Sequence, residues 1–327
     1  MKAIVYSEYG PPDVLQLEEI EKPVPKSNEV LVKVHAVSIN DWDWGLLIGK
    51  PFMNRLFFGL LRPKIRILGS DIAGQVEAVG INAKQFHPGD EVFGDLSGYG
   101  FGGFAEYVCA RENALVSKPA NMTFEQAAAT PQAAILALQG LRDRMEIKQG
   151  QRVLINGAGG GAGTFAIQIA KSFGAEVTGV DSTLKLNVMR SIGADHVIDY
   201  TQEDFTKIGR SYDFILDFAA QHAISDYWRV LNSNGIYVMV GGSTPLILQI
   251  MFLGPMISMI TSKKMGILMY KPKKDLFLIK ELFESGVAKP VIDKCYPLSE
   301  VAEAFRYFGE GRHRGKVVIT LGDSNRT

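Results

Sequence analysis

Residues 153–171 read VLINGAGGGAGTFAIQIAK. A short apolar run enters a knot of glycines, and the knot opens into an apolar-periodic segment. Each of Gly157, Gly159, Gly160, Gly161 and Gly163 costs about 0.5–1 kcal/mol against alanine inside regular structure. The chain therefore needs bare backbone at this point. Val153–Asn156 suits a buried parallel strand. Phe165, Ile167, Ile169, Ala170 and Phe173 define a largely buried helix running from near Gly161 to Gly174, a natural left-handed stop. Ala175–Val180 is a second strand, with Asp181 at its end.

Strand, glycines, helix, strand and acid within about thirty residues match the first βαβ unit of a dinucleotide-binding fold. Without Cβ atoms the turn lets a pyrophosphate approach the main chain, and the helix aims free N–H groups and its positive end at that anion. Gly157, Gly159 and Ala162 fit GxGxxA; Ala158, Gly160 and Gly163 fit GxGxxG with alanine first. Further strands are expected at Ala194–Tyr200, Tyr212–Phe218 and Gly235–Gly242, with helices at Ser182–Ser191 and Ala223–Leu231. This alternation predicts an α/β domain around a doubly wound parallel sheet. Phe218 and Gly241, at strand ends, join the expected cofactor set.

The flanks differ. Residues 1–108 carry short alternating strands (KAIVY, EVLVKVHAV, IAGQVEAVG, GDEVFG, FAEYVCA) separated by Gly, Pro and Asp, a partly antiparallel β domain. A helix over Thr123–Gly140 leads into the nucleotide domain, and Arg314–Leu321 returns as a strand. The expected division is 1–122, 123–284 and 285–327. Lys+Arg and Asp+Glu both number 35, so no nucleic-acid partner is implied. Cys109 and Cys295 form no framework, and the N-terminus lacks a signal-peptide core, which together point to the cytoplasm.

The run of motifs MKAIVY, VKVHAVSIND, GSDIAGQVEAVG, HPGDEVFG, the glycine knot, GADHVIDY and RGKVVITL resembles the medium-chain dehydrogenase/reductase superfamily, in its zinc-free quinone oxidoreductase-like branch. The resemblance implies a Rossmann domain inserted in a GroES-like, mainly β catalytic domain, an active site in the cleft between them, hydride transfer from NADPH or NADH, and a homodimer through nucleotide-domain edge strands, near Gly235–Gly242. Zinc-dependent relatives place a cysteine where this chain has Asn40, and a His-Glu pair where it reads Ser70-Asp71. The histidines at 35, 87, 196, 222 and 313 form no ligand cluster, so no metal is expected.

Chemistry without a metal rests on hydrogen-bond donors facing an oxygen that gains charge. The resemblance makes Asn40 the substrate-facing polar group, with Asp43 beside it in NDWD. The other reading is that Asn40 caps a turn and Asp43 begins a helix. Trp42 and Trp44 either wall the pocket or belong to the core. Gly45 and Leu46 stand where relatives often carry tyrosine, and Leu136 where many carry threonine, leaving the proton donor unnamed. Asp181 argues for NAD(H) through the ribose 2′-OH. Ser182, Thr183, Lys185 and Tyr200 resemble the family's 2′-phosphate stretch and favour NADP(H).

Residues 52–68 and 246–264 are strongly apolar with basic residues in or beside them. Gly254 and Pro255 are expected to break the second. Core or dimer packing explains both segments; a lipophilic entrance touching a membrane surface is the alternative. The expected activity is NADPH-dependent reduction of quinones or α,β-unsaturated carbonyls on a small hydrophobic acceptor. A metal-free alcohol dehydrogenase and a nucleotide-binding sensor without turnover are the alternatives.

Overall fold

The computed structural model describes residues 1–144, 147–272 and 274–322. The chain divides into two compact units: residues 1–132 with 272–284 and the return from Pro290, and residues 133–271 with 285–289.

The first unit is built on strands β1 (Lys2–Val5), β2 (Gln16–Glu19), β3 (Glu29–Ser38), β4 (Asp71–Val79), β5 (Glu91–Asp95), β6 (Tyr107–Arg111) and β7 (Leu115–Ser117). Helices α1 (Asp41–Ile48) and α2 (Phe52–Phe58) connect β3 to β4. β3 reads EVLVKVHAVS, rich in β-branched residues, and its valines are buried. It pairs antiparallel with β4 and β6. Val32, Val34, Val37, Ile72 and Phe104 form the centre of this unit's core.

The expected helix 123–140 is instead two: α3 (Phe124–Ala128) and α4 (Pro131–Arg142). Pro131 offers no N–H and pushes Thr130 out of helical conformation. The Thr123 hydroxyl accepts from Gln126 N at 3.2 Å, closing a capping box on α3. The Phe124 ring stacks on His35 of β3 at 4.4 Å, and Gln132 N donates to Asp71. These contacts hold residues 123–132 in the first unit, so the division lies at 132/133 rather than 122/123.

The second unit alternates β8 (Arg152–Asn156), α5 (Gly161–Ser172), β9 (Glu176–Asp181), α6 (Leu186–Ser191), β10 (His196–Asp199), β11 (Tyr212–Asp217), α7 (Ile224–Val230), β12 (Leu231–Met239), α8 (Thr244–Ile260) and β13 (Lys264–Ile267). All six strands are parallel, in the order β10-β9-β8-β11-β12-β13. This is the dinucleotide-fold order, reversing direction between β8 and β11. β12, expected at Gly235–Gly242, starts earlier and stops before Gly241. It lies between β11 and β13, so an edge-to-edge dimer would use β10 or β13 and not Gly235–Gly242.

α8 corrects a second expectation, because it runs unbroken through Pro255. Proline removes a single N–H, and the Ser258 hydroxyl donates to Gly254 O at 2.7 Å across the same turn. A Cβ on Gly254 would meet Met265 O of β13 at 2.7 Å, so glycine lets the helix lie directly on that strand. Among the described residues no helix is long and apolar enough to cross a membrane.

The chain returns through α9 (Leu276–Glu284), which belongs to the first unit, then β14 (Ile292–Pro297), α10 (Val301–Gly309) and β15 (Lys316–Thr320). β15 pairs antiparallel with β3. Ser38 thereby sits in register with both Asp71 and Val318. The end of β3, the start of β4 and the middle of β15, widely separated in sequence, meet at one place.

Candidate active site

The second unit carries the nucleotide turn. The glycine turn follows β8 at the switch point, where ligands bind outside strand C-termini. Gly157 has φ +77°, a conformation that favours glycine. The N–H groups of Gly157 and Ala158 both donate to Val180 O, at 3.0 and 3.1 Å. A Cβ on Gly163 would lie 2.2 Å from Gly157 O and 2.6 Å from Ala158 Cα. Gly163 is therefore what seats α5 against its own turn. The N–H groups of Gly161, Ala162 and Gly163 open α5, ahead of any acceptor within the helix. With the helix dipole they form an anion cradle, and a Cβ on Gly160 would touch nothing closer than 3.4 Å. The turn fits a diphosphate.

Phe218 and Gly241, named from the sequence as cofactor residues, pack beside this turn. The Phe218 Cβ is 3.2 Å from where a Gly157 Cβ would stand, and Gly241 packs on Phe218 O. The brace beneath them was not foreseen. Asn156 Nδ2 donates to buried Asp217 Oδ1 at 2.8 Å and to Ala219 O at 3.1 Å, while Tyr237 OH donates to Asp217 Oδ2 at 3.1 Å. This ties β8 to β11 at the switch. Burial raises the Asp217 carboxyl above its ordinary range, and the donors around it oppose that rise.

Asp181 does not face outward for a ribose. Its Oδ2 accepts from Gly159 N at 2.9 Å and its Oδ1 from Ser182 N at 2.8 Å. The Lys185 ammonium lies 3.4 Å from Oδ1, both side chains being buried. Thr183 donates its hydroxyl to Asp199, and Tyr200 is exposed beside them.

The first unit supplies a polar cluster where β3, β4 and β15 meet. Asn40 precedes α1 as its N-cap residue. Lys316 Nζ lies 2.5 Å from Asn40 Oδ1, 3.3 Å from Ile39 O and 4.0 Å from Asp71 Oδ2. An ammonium only donates, so it fixes the amide with oxygen toward Lys316 and Nδ2 toward Ser70, whose Oγ accepts at 3.2 Å. Asp71 and Lys316 are 0% and 3% exposed. Burial raises the Asp71 carboxyl, helped by Asp95 and opposed by Lys316; burial likewise lowers Lys316, against the nearby carboxylates. Among the described residues, Asp71 Oδ1, Ser38 Oγ and Gln132 Nε2 are buried without a hydrogen-bond partner.

Asp43, expected beside Asn40 at the reacting centre, is a brace. Its two oxygens accept from Asn40 N at 3.0 Å and Gly69 N at 2.8 Å. Burial pushes its carboxyl up to about 7. Trp44 packs against Gly309, whose added Cβ would meet the ring at 2.3 Å; Trp42 is partly exposed, edge-on to Phe58 at 6.2 Å. An amide, a hydroxyl, one carboxylate and an ammonium do not fit the ligand set of a zinc ion. Lys316 escaped the sequence reading, and Asp71 entered it only as a position where zinc-dependent relatives differ, because a polar residue at the start of an apolar strand carries no signal of its partner.

Residues 26–120 match the model of the alcohol dehydrogenase GroES-like domain, and residues 192–319 that of the zinc-binding dehydrogenase. The chain is 36% identical over 331 residues to the NADPH-dependent alkenal/one oxidoreductase, chloroplastic, of Arabidopsis thaliana, covering 98% of this chain and 79% of that protein. It is 32% identical to the chloroplast envelope quinone oxidoreductase homolog of the same plant, covering 98% of each. The quinone oxidoreductase structure from Coxiella burnetii superposes with a TM-score of 0.88 at 30% identity, covering 98% of this chain and 99% of that one. With these likenesses, the nucleotide turn and the GroES-like frame, the chain belongs to the quinone oxidoreductase-like branch of the medium-chain dehydrogenase/reductase superfamily and is a nicotinamide-dependent oxidoreductase.

Proposed function

We propose that the protein is an NADPH-dependent, metal-free reductase of α,β-unsaturated carbonyls or quinones with hydrophobic character. The observation that carries this reading is the Lys316–Asn40–Ser70 chain. A bound dihydronicotinamide supplies a hydride. The protein must then stabilise negative charge on the acceptor oxygen, and conjugation spreads that charge so that neutral donors suffice. Asn40, polarised by the ammonium on its carbonyl, is the donor. Lys316 acts through Asn40 by holding the amide oriented. The names of the alkenal/one and quinone relatives support the same acceptor class.

The inward turn of Asp181 supports NADPH. With both oxygens held by main-chain N–H groups and Lys185 beside it, this carboxylate repels a 2′-phosphate less than an outward-facing one would. Lys185, Ser182, Thr183 and Tyr200 are the residues that would hold the phosphate. Lys185→Ala is expected to raise the KM for NADPH about tenfold or more, one charge-assisted contact, while the NADH value moves less than about twofold. Equal shifts for the two coenzymes reject the role.

Asn40→Ala is expected to lower kcat toward a 2-alkenal by about a hundredfold, the usual loss for one oxyanion donor. The affinity for NADPH, measured by fluorescence titration, should stay as in the parent protein. Steady-state assays comparing 2-alkenals, quinones and simple alcohols test the reaction class. Turnover confined to alcohols would replace this reading with a dehydrogenase, and coenzyme binding without any turnover would replace it with a sensor. The two cysteines are free thiols, one exposed, which supports a reducing compartment such as the cytoplasm. A homodimer through a nucleotide-domain edge strand, β10 or β13, is the assembly that the family resemblance favours.

A further inference from the structure

Helix α2 is amphipathic in the wrong sense. No residue of its seven is buried. Its polar residues face the first unit: Arg55 Nε donates to Gly49 O at 3.1 Å with its guanidinium 4.5 Å from the Tyr9 ring centroid, and Asn54 Nδ2 donates to Lys50 O at 3.0 Å. Phe52, Met53, Leu56 and Phe57, at positions i, i+1, i+4 and i+5, lie on the opposite face, 53–70% exposed. Leu60 and Leu61 in the following loop are 54% and 86% exposed. Water is a poor neighbour for six large apolar side chains in ten residues.

The charges around this face identify what covers it. From Trp44 to Ser70 there is no acidic residue, but there are five basic ones, in a chain of net charge zero. Arg62, Lys64 and Arg66 are exposed. Among the described residues none of these three makes an ion pair. A protein partner or a second copy of this neutral chain would have to bring acidic groups to a patch otherwise apolar. An anionic bilayer surface presents both chemistries together: headgroup charge for the three cations, and an acyl boundary for the aromatic and aliphatic side chains. We propose that α2 and the loop through Arg66 form a peripheral docking surface for anionic lipid membranes, with the apolar face of α2 entering the headgroup–acyl boundary.

The test is sedimentation of the full chain with vesicles, which needs neither coenzyme nor acceptor and so stands or falls apart from the reductase assays. The protein should pellet with vesicles of equal phosphatidylglycerol and phosphatidylcholine, and far less with phosphatidylcholine alone. Arg62→Gln/Lys64→Gln/Arg66→Gln should weaken partitioning into the anionic vesicles about a hundredfold, at about 1 kcal/mol per basic residue. Phe57→Ser/Leu61→Ser should abolish it at all salt concentrations; since both side chains are exposed, the variant should keep the parent's thermal midpoint. Protein remaining in the supernatant with anionic vesicles overturns the proposal. So does equal binding to neutral vesicles, or binding that survives either variant. Self-association in analytical ultracentrifugation that Phe57→Ser/Leu61→Ser removes, without vesicle binding, would assign the face to a second copy instead.

Discussion

Lys316→Met is expected to destabilise the first unit by about 3–5 kcal/mol, the usual result of removing one partner from a buried charged pair. Methionine matches the length of the lysine stem but donates nothing. Asn40 Oδ1 and Ile39 O would lose their ammonium donor, and Asp71 would lose its opposing charge. The pH dependence distinguishes this account from simple loss of packing. Asp71 already has a raised carboxyl in the folded chain, and losing Lys316 raises it further. An acid held above its unfolded value withdraws stability as pH rises from that value through the folded one. The deficit of the variant should therefore be larger at pH 8 than at pH 5, read as the denaturant midpoint at each pH. Lys316→Met/Asp71→Asn should recover a large part of the loss at pH 8, because no unpaired carboxylate then remains. A deficit that is the same at both pH values contradicts the charge argument. Catalysis in the single variant should fall with the released Asn40 amide, at an unchanged affinity for NADPH.

Gly163→Ala should abolish useful coenzyme binding. The added methyl would stand 2.2 Å from Gly157 O, 2.6 Å from Ala158 Cα and 2.7 Å from Ala158 C. All three are backbone atoms, so no rotamer change relieves the contact, and the helix must move off the turn. Overpacking a site that can yield costs about 1–3 kcal/mol, and this site cannot yield without opening the cradle. A loss of at least about a hundredfold in affinity follows, the upper end of that range. It should be equal for NADPH and NADH, since the diphosphate is common to both. Lys185→Ala separates the coenzymes and Gly163→Ala does not, so the two variants together divide the nucleotide site into its anchoring and discriminating parts. A dissociation constant within threefold of the parent value would remove Gly163 from the site.

The nucleotide half was legible in the chain because it is local. Strand, turn and helix follow one another between Val153 and Lys171, and each has a periodicity or a glycine requirement that shows in one dimension. Element boundaries were less legible. α3 and α4 read as one helix because Pro131 suits the first turn of a helix as well as a break. α8 read as two segments, though it runs through Pro255 with Gly254 lying directly on β13. The polar cluster around Asn40 was barely legible. Asn40 came from a resemblance, and Lys316 stands 276 residues away.

From the amino-acid order alone follow the parallel domain, its bare diphosphate turn, the flanking β texture and the apolar basic stretch after α1, since each depends on neighbours within a few turns or strands. Only the tertiary structure decided that Asp181 turns inward to Gly159, that Asp43 accepts from Asn40 N and Gly69 N, and that Lys316 holds Asn40. Those outcomes depend on which strand ends meet, and on whether a buried charge finds its partner there. Burial and pairing energies arise in three dimensions and leave no periodic trace in the chain.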